Sequence, residues 1–173
     1  EHGLGDKRSA YDQSLRIPML VRYPRLVGPG TLCDDMVLNI DIAPTFLELA
    51  AVPVPTTMQG KSWQPLLAGR KVAWRQSFLA EYFYERGFVG TPTLVAVRTA
   101  DAKLIKYPGH DDWTELFDLA NDPYEIKNLA RDPAQQALLE RMKAEFERQV
   151  KAAAYLRPAH ADPLNGASDA DHL

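Results

Sequence analysis

The chain has 173 residues, of which 46% are hydrophobic and 25% are charged, and its formal net charge is −3. This composition excludes a wholly disordered, collagen-like or coiled-coil chain, and the slight acidic excess does not indicate a nucleic-acid partner. No apolar run reaches the roughly 18 residues of a membrane span, and a single cysteine, Cys33, excludes an internal disulfide.

The first segment, residues 1–15, is polar and loop-like, and it opens without Met or a signal-like stretch. Because a polar loop is an unusual beginning for a domain, we expect the chain to be the C-terminal part of a longer protein. Residues 16–23 follow as an apolar run closed by Pro24. A short apolar run between turn signals predicts a buried strand.

A helix is predicted next, over residues 41–50. Asp41 is suited to the N-cap, and Pro44 falls in the first turn, where its missing N–H is tolerated. Apolar residues at helical spacing predict one apolar face. That face consists of Ile42, Phe46, Leu49 and Ala50. Residues 53–72 are rich in Pro and Gly and predict a loop with a short helical turn.

The remaining elements are strands and one long helix. Four strand-length runs rich in β-branched and aromatic residues predict an antiparallel meander. They are residues 77–83, 93–99, 103–107 and 114–119. Asp132 and Pro133 are typical of a helix start, and the apolar stripe behind them predicts a helix packed on one face of the sheet. Residues 157–173 are small and polar and predict a disordered tail.

Two basic side chains, His2 and Lys7, lie close together in a loop that contains Gly3 and Gly5. An ammonium and an imidazole that converge on one point suit a sulfate or phosphate group. The ammonium offsets charge on a leaving oxygen, and an imidazole exchanges protons near neutral pH. The spacing alone is more typical of two solvated loop residues than of an anion site, so both interpretations stay open at this point.

Other candidates carry weaker signals. Arg98, at the end of a predicted strand, can hold an anionic substrate through its planar guanidinium, or form a surface salt bridge. Three aromatic residues, Tyr84, Tyr107 and Trp113, suit either a sugar or aryl site or packing on the sheet.

The order of short motifs resembles the sulfatase family, and more closely its branch of bacterial arylsulfatases, iduronate-2-sulfatase and N-sulfoglucosamine sulfohydrolase. The resemblance extends from Glu1 to about Val150. The motifs that carry it are Glu1-His2-Gly3-Leu4-Gly5-Asp6-Lys7, Ser14-Leu15-Arg16-Ile17-Pro18, Asn39-Ile40-Asp41-Ile42-Ala43-Pro44-Thr45, Met58-Gln59-Gly60-Lys61-Ser62, Ala96-Val97-Arg98-Thr99, Glu115-Leu116-Phe117-Asp118-Leu119 and Asp122-Pro123-Tyr124-Glu125.

The resemblance implies an α/β fold: the C-terminal part of an alkaline-phosphatase-like sulfatase, with a four-stranded antiparallel sheet and a packed C-terminal helix. We therefore expect residues 1–72 to end the catalytic domain, residues 73–156 to form the C-terminal subdomain and residues 157–173 to form the tail. The implied partners are a sulfated small molecule or glycan as substrate and the rest of the catalytic domain. A periplasmic, extracellular or lysosomal location is typical of relatives.

The implied activity is hydrolysis of a sulfate ester or sulfamate with a formylglycine and Ca²⁺. This sequence departs from that pattern, because it contains no Cys/Ser-x-Pro-x-Arg motif. We expect the nucleophile and metal ligands to lie upstream and the chain alone to be inactive. By position in the motifs, Lys7 matches the lysine that contacts the sulfate, and His2 matches the histidine of the same loop. Arg98 is the candidate substrate-binding residue. A phosphonate or phosphodiester hydrolase and a non-catalytic glycan-binding module are the alternatives.

Overall fold

The computed structural model describes residue 2 and residues 7–85 and 91–158. The chain divides into two compact units. The sheet unit comprises residues 1–17 and 77–173, and the helical unit comprises residues 18–76. The first 17 residues thus group with the sheet, whereas the sequence assigned them to the domain before it. The predicted boundaries after residues 72 and 156 stay predictions.

The sheet unit contains the predicted four-stranded antiparallel meander, with strand order β1-β2-β3-β4. The strands are β1 (Ser77–Tyr82), β2 (Leu94–Thr99), β3 (Ala102–Lys106) and β4 (Glu115–Asp118). Their ends fall within about one residue of the predicted ones, because the β-branched runs and the turns between them define both ends of each strand.

One face of the sheet carries a helix, α4 (Gln136–Ala152). Because side chains alternate along a strand, the register aligns one row of apolar residues across this face. Val97 lies opposite Leu104, which lies opposite Leu116. These three residues are buried against Leu139 and Met142 of α4. This contact confirms the predicted packing of the C-terminal helix on the sheet.

The α-helix begins a few residues after the predicted start signal at Asp132 and Pro133. Asp132 accepts a hydrogen bond from the Ala134 N–H through its Oδ1, at 2.9 Å. A 3-10 turn, Pro133–Gln135, comes first, and the α-helix begins at Gln136. The Asp-Pro pair therefore starts the helical segment as expected, with Pro133 at a position whose N–H needs no partner.

The opposite face of the sheet is covered by the start of the chain, which contains α1 (Asp12–Leu15). Ala10 is buried there in one cluster with Leu94, Ala96, Ile105 and Phe117. Tyr11 and Leu15 pack against the same cluster. The residues just after the candidate loop are therefore fixed to the sheet by hydrophobic burial.

The helical unit contains α2 (Ile42–Leu49) and α3 (Gln64–Leu67). Asp41 directly precedes α2, as predicted for the N-cap, but its side chain makes no cap hydrogen bond to that helix. Asp41 has helical backbone angles at the end of a 3-10 turn, whereas an N-cap residue is extended. Its buried carboxylate accepts from the Leu38 and Lys61 N–H groups, at 2.8 and 2.7 Å, and forms an ion pair with Arg75.

The predicted apolar face of α2 is not the face that is buried, because Phe46 is 65% exposed while Pro44 and Thr45 are buried. The reason is a polar contact. The Thr45 hydroxyl donates to the Asp41 carbonyl at 2.6 Å and accepts from the Trp63 N–H at 3.1 Å, so this side of the helix faces the following loop.

The predicted buried strand over residues 16–23 is absent, since this segment has no strand hydrogen bonding and Leu20 is 96% exposed. An apolar run forms a buried strand only where a neighbouring strand supplies the backbone hydrogen bonds of a sheet. Most of the predicted tail, residues 159–173, lies outside the described residues. Among the helices of the described ranges, none is long and apolar enough to cross a membrane.

Candidate functional site

The candidate loop residues His2 and Lys7 both belong to the sheet unit. Lys7 is exposed, and His2 is partly buried. The His2 ring stacks on the Tyr11 ring, with 3.9 Å between centroids and an interplanar angle of 1°. Its Nε2 lies 3.0 Å from the carbonyl oxygen of Tyr124. Gly3 and Gly5, which the sequence placed in the same loop, lie outside the described residues.

Tyr11, the stacking partner, is held by a shared carboxylate. Its hydroxyl donates to Glu115 Oε2 at 2.7 Å, and the Tyr107 hydroxyl donates to Glu115 Oε1 at 2.6 Å. Burial, and then the hydrogen bond to Glu115, raise the pKa of both tyrosines above the ordinary value. Both phenols therefore stay protonated and act as donors, which fixes the Tyr11 ring plane.

Asp12, the next residue, lies between two cations. The register pairs Arg98 on β2 with Lys103 on β3, and two like charges at such a position repel each other. Asp12 bridges them: its Oδ1 accepts from Lys103 Nζ at 2.6 Å, and its Oδ2 accepts from Arg98 at 2.8 Å. Burial acts to raise the pKa of Asp12, but the hydrogen bonds from Arg98 and Lys103 outweigh it and lower the pKa to about 2.

Glu125 completes this cluster from the other side. Both its side chain and that of Lys103 are fully buried. Glu125 Oε1 accepts from Lys103 Nζ at 2.6 Å, and Oε2 accepts from the Asp12 N–H at 2.6 Å. We call Asp12, Arg98, Lys103 and Glu125 the ionic cluster. Its two carboxylates balance its two cations, as buried charges require.

The ionic cluster bears directly on Arg98, the predicted substrate-binding residue. Its guanidinium donates to both carboxylate oxygens of Asp12 and to the Thr99 carbonyl. The structure thus contains the salt bridge that the sequence left open as the alternative. Asp12 also raises the pKa of Arg98, so the pair stays charged. Contact between Arg98 and a substrate stays a prediction.

The aromatic candidates lie in the sheet unit as well. Trp113 is 42% exposed, and its ring stacks on His110 at 3.9 Å and meets Tyr107 edge-on at 5.9 Å. The backbone N–H of Tyr84 donates to the Thr93 hydroxyl at 3.0 Å. The interpretation of these aromatic residues as a sugar or aryl site stays a prediction.

Sequence reasoning missed Asp12, Lys103 and Glu125. One signal was present, because Lys103 stands between apolar residues in the strand Ala102–Lys106. A lysine on a buried face needs a carboxylate partner. Which carboxylate it takes was not readable, since Asp12 is 91 residues away in the chain.

The Ca²⁺ and formylglycine implied by the resemblance do not fit the residues that the structure describes. Within residue 2 and the two described ranges, no group of three or more His, Cys, Asp and Glu side chains could hold a metal ion. The carboxylates of Asp12, Glu115 and Glu125 are already engaged by cations or hydroxyl groups. Among the described residues, these side chains therefore form no site for either group.

Comparison with known proteins gives a family match and several relatives. Residues 1–152 match the family described as N-sulphoglucosamine sulphohydrolase, C-terminal. The N-acetylglucosamine-6-O-sulfatase of Bacteroides thetaiotaomicron is 36% identical over 75% of this chain and 24% of its own length. The human N-acetylglucosamine-6-sulfatase is 31% identical over 73% of this chain and 28% of its own length.

Solved structures show the same fold. A structure in complex with its substrate D-glucosamine-2-N,6-O-disulfate superposes with a TM-score of 0.82 and 30% identity, over 87% of this chain and 31% of that one. A phosphonate monoester hydrolase from Silicibacter pomeroyi superposes with a TM-score of 0.73 and 26% identity, over 85% of this chain and 31% of that one. The chain thus spans about a quarter to a third of the length of these proteins.

Proposed function

The chain belongs to the sulfatase family, and on that premise we propose that the protein hydrolyses sulfate esters of a sulfated amino sugar. The observation that carries the proposal is the match of residues 1–152 to the N-sulphoglucosamine sulphohydrolase C-terminal family. Two relatives that are named for glucosamine 6-sulfate groups, and a structural neighbour bound to a glucosamine disulfate, support the sugar class. The same proposal includes the hydrolysis of sulfamates.

In this proposal Lys7 is the catalytic residue of the chain. The ammonium of this exposed residue binds a sulfate oxygen and stabilises the negative charge that develops on the leaving oxygen. His2 lies in the same loop and is proposed to act near the same site. The anchoring of Tyr11 and Asp12 to the sheet supports this role, because a charge contact stabilises a transition state only when its position is fixed beforehand.

The proposal includes the rest of a catalytic domain as a partner for the helical unit. Leu20, Leu32 and Phe46 are all more than half exposed in this unit. Exposed apolar side chains concentrated in one unit are typical of a surface that another part of a protein covers. The remaining length of the relatives, about two thirds or more, supports a covering domain of this kind.

A second activity, phosphonate monoester hydrolysis, is favoured by the TM-score of 0.73 to a phosphonate monoester hydrolase. An ammonium such as Lys7 stabilises charge on a phosphonate oxygen as well as on a sulfate oxygen, so this residue alone does not separate the two.

The test compares the two ester classes directly, using the protein purified at its natural length. Glucosamine 6-sulfate is the first substrate, with sulfate release as the readout. A phenyl phosphonate monoester is the second. We expect the larger kcat/KM for the sulfate ester. Faster turnover of the phosphonate would move the assignment to the second activity. Tight binding of a sulfated glycan without hydrolysis would contradict both and favour a binding module.

A further inference from the structure

We propose that His2 is a positioning residue, whose imidazole acts as an Nε2–H donor that clamps the loop carrying Lys7 to the sheet unit. The proposal rests on the proposed function only for the role of Lys7. The clamp itself depends only on the contacts of His2 with Tyr11 and Tyr124.

The contacts of His2 determine its tautomer. A backbone carbonyl only accepts hydrogen bonds, so the Nε2 atom 3.0 Å from the Tyr124 oxygen must carry the proton. In the neutral ring the other nitrogen, Nδ1, is then unprotonated. One ring face is covered by Tyr11 at 3.9 Å. The ring is thus held by one stacking contact and one directional hydrogen bond.

Both contacts end on residues that adjoin the ionic cluster. Tyr11 precedes Asp12, and Tyr124 precedes Glu125. Lys103 Nζ binds Asp12 and Glu125 at 2.6 Å each. The Asp12 N–H also donates to Glu125 at 2.6 Å, so the two segments that hold His2 are fixed to one another. The stacking surface and the accepting carbonyl therefore keep a constant spacing.

The backbone of His2 is consistent with a ring that is held in place. Its φ is 55°, in the left-handed region that residues other than glycine enter at a cost. Such a conformation persists where surrounding contacts over-determine it. Here those contacts are the Tyr11 stack and the Tyr124 carbonyl.

The clamp has a consequence for Lys7. Lys7 is five residues from His2 and five residues from Asp12 along the chain. Both ends of this segment are fixed to the sheet unit, one through His2 and the other through Asp12. At about 3.3–3.6 Å of reach per residue, the Lys7 backbone stays within about 18 Å of each of these two anchors. This confinement limits the orientational freedom that a substrate contact would otherwise lose on binding.

A role for His2 in proton transfer predicts different behaviour, and two variants separate the possibilities. In His2→Gln the side-chain amide can still donate to the Tyr124 carbonyl, but it cannot exchange a proton. Both variants lose the stacking ring, but His2→Ala also loses the donor, so the two variants differ in the hydrogen bond to Tyr124. A positioning residue is rescued by Gln, whereas a general acid or base is not.

The first measurement is the tautomer, in ¹⁵N-histidine-labelled protein of natural length. Long-range ¹H–¹⁵N correlations report which ring nitrogen carries the proton, and the His2→Gln spectrum assigns the His2 signals. At a pH where the ring is neutral, we expect the single proton on Nε2. An Nδ1–H tautomer, or the averaged signals of a free imidazole, would overturn the clamp whether or not the protein is a sulfatase.

The second measurement is kcat/KM on the sulfate ester across pH. We expect His2→Gln to stay close to wild type with an unchanged pH profile, and His2→Ala to lose about tenfold, the effect of one lost hydrogen bond. Loss of one limb of the profile and about 10²–10⁴-fold in both variants would make His2 a proton-transfer residue. Two variants at wild-type rate would also refute the proposal. If the wild-type protein hydrolyses no sulfate ester, the proposed function is contradicted. The NMR measurement of the His2 tautomer would then still show whether His2 forms the clamp.

Discussion

Replacement of Lys103 by Met tests the ionic cluster most severely. Lys103 is fully buried, and its Nζ lies 2.6 Å from a carboxylate oxygen of each of Asp12 and Glu125. Breaking a buried ion pair by removing one partner costs about 3–5 kcal/mol, because a charge is left buried without compensation. Asp12 retains Arg98, so we expect a loss toward the lower end, about 3 kcal/mol in the free energy of unfolding.

The assay is urea unfolding followed by far-UV circular dichroism, with two comparison variants. Lys143→Met removes an exposed i,i+3 pair with Glu140 and should cost about 0–1 kcal/mol. Adding Glu125→Gln to Lys103→Met should recover part of the loss, because it removes the unpaired charge. A cost below about 1 kcal/mol for Lys103→Met, equal to that of Lys143→Met, would refute the buried cluster.

Two further predictions concern pH and a close backbone approach. Because the pKa of Asp12 is lowered from 3.8 to about 2, its charge stabilises the fold above about pH 4. That contribution, about 2 kcal/mol, should be lost as the pH falls from 4 to 2. The difference in free energy of unfolding between wild type and Asp12→Asn should therefore shrink over this range. A constant difference would contradict the lowered pKa of Asp12. A Cβ on Gly60 would lie 2.0 Å from the Ile40 carbonyl oxygen, so Gly60→Ala should lower the thermal midpoint. Gly28→Ala is the control, because the atom nearest to its added Cβ is 3.7 Å away, and it should leave the midpoint unchanged. Equal midpoints for the two variants would refute the close approach at Gly60.

The sheet and its helix were predictable from local patterns. The four strands and the helix start at Asp132-Pro133 are determined by residues that are neighbours in the chain. Their local preferences agree with the fold, so the sequence pattern alone predicts them. The segment 16–23 was not predictable in the same way. Its apolar run indicates only that it prefers burial, and Leu20 is exposed because no strand pairs with it within the described residues.

The candidate site was predictable in part. The motif Glu1–Lys7 identified His2 and Lys7, but the contacts that hold His2 join residues far apart in sequence. His2 and Tyr124 are 122 residues apart, and Tyr11 and Glu115 are 104 apart. Spacing along the chain contains no information about such pairs. The same holds for Arg98, whose choice between a substrate anion and Asp12 depends on the fold of the first segment over the sheet.

Sulfate-ester kinetics of Lys7→Ala test the central claim most directly. In the proposed function Lys7 contacts the sulfate, and the matched control is Lys71→Ala, which removes an exposed lysine of the helical unit. We predict that Lys7→Ala lowers kcat/KM about 10²–10³-fold at an unchanged thermal midpoint, because one charge contact to the transition state is lost. Lys71→Ala should retain the wild-type value. Wild-type kcat/KM in Lys7→Ala would contradict the account.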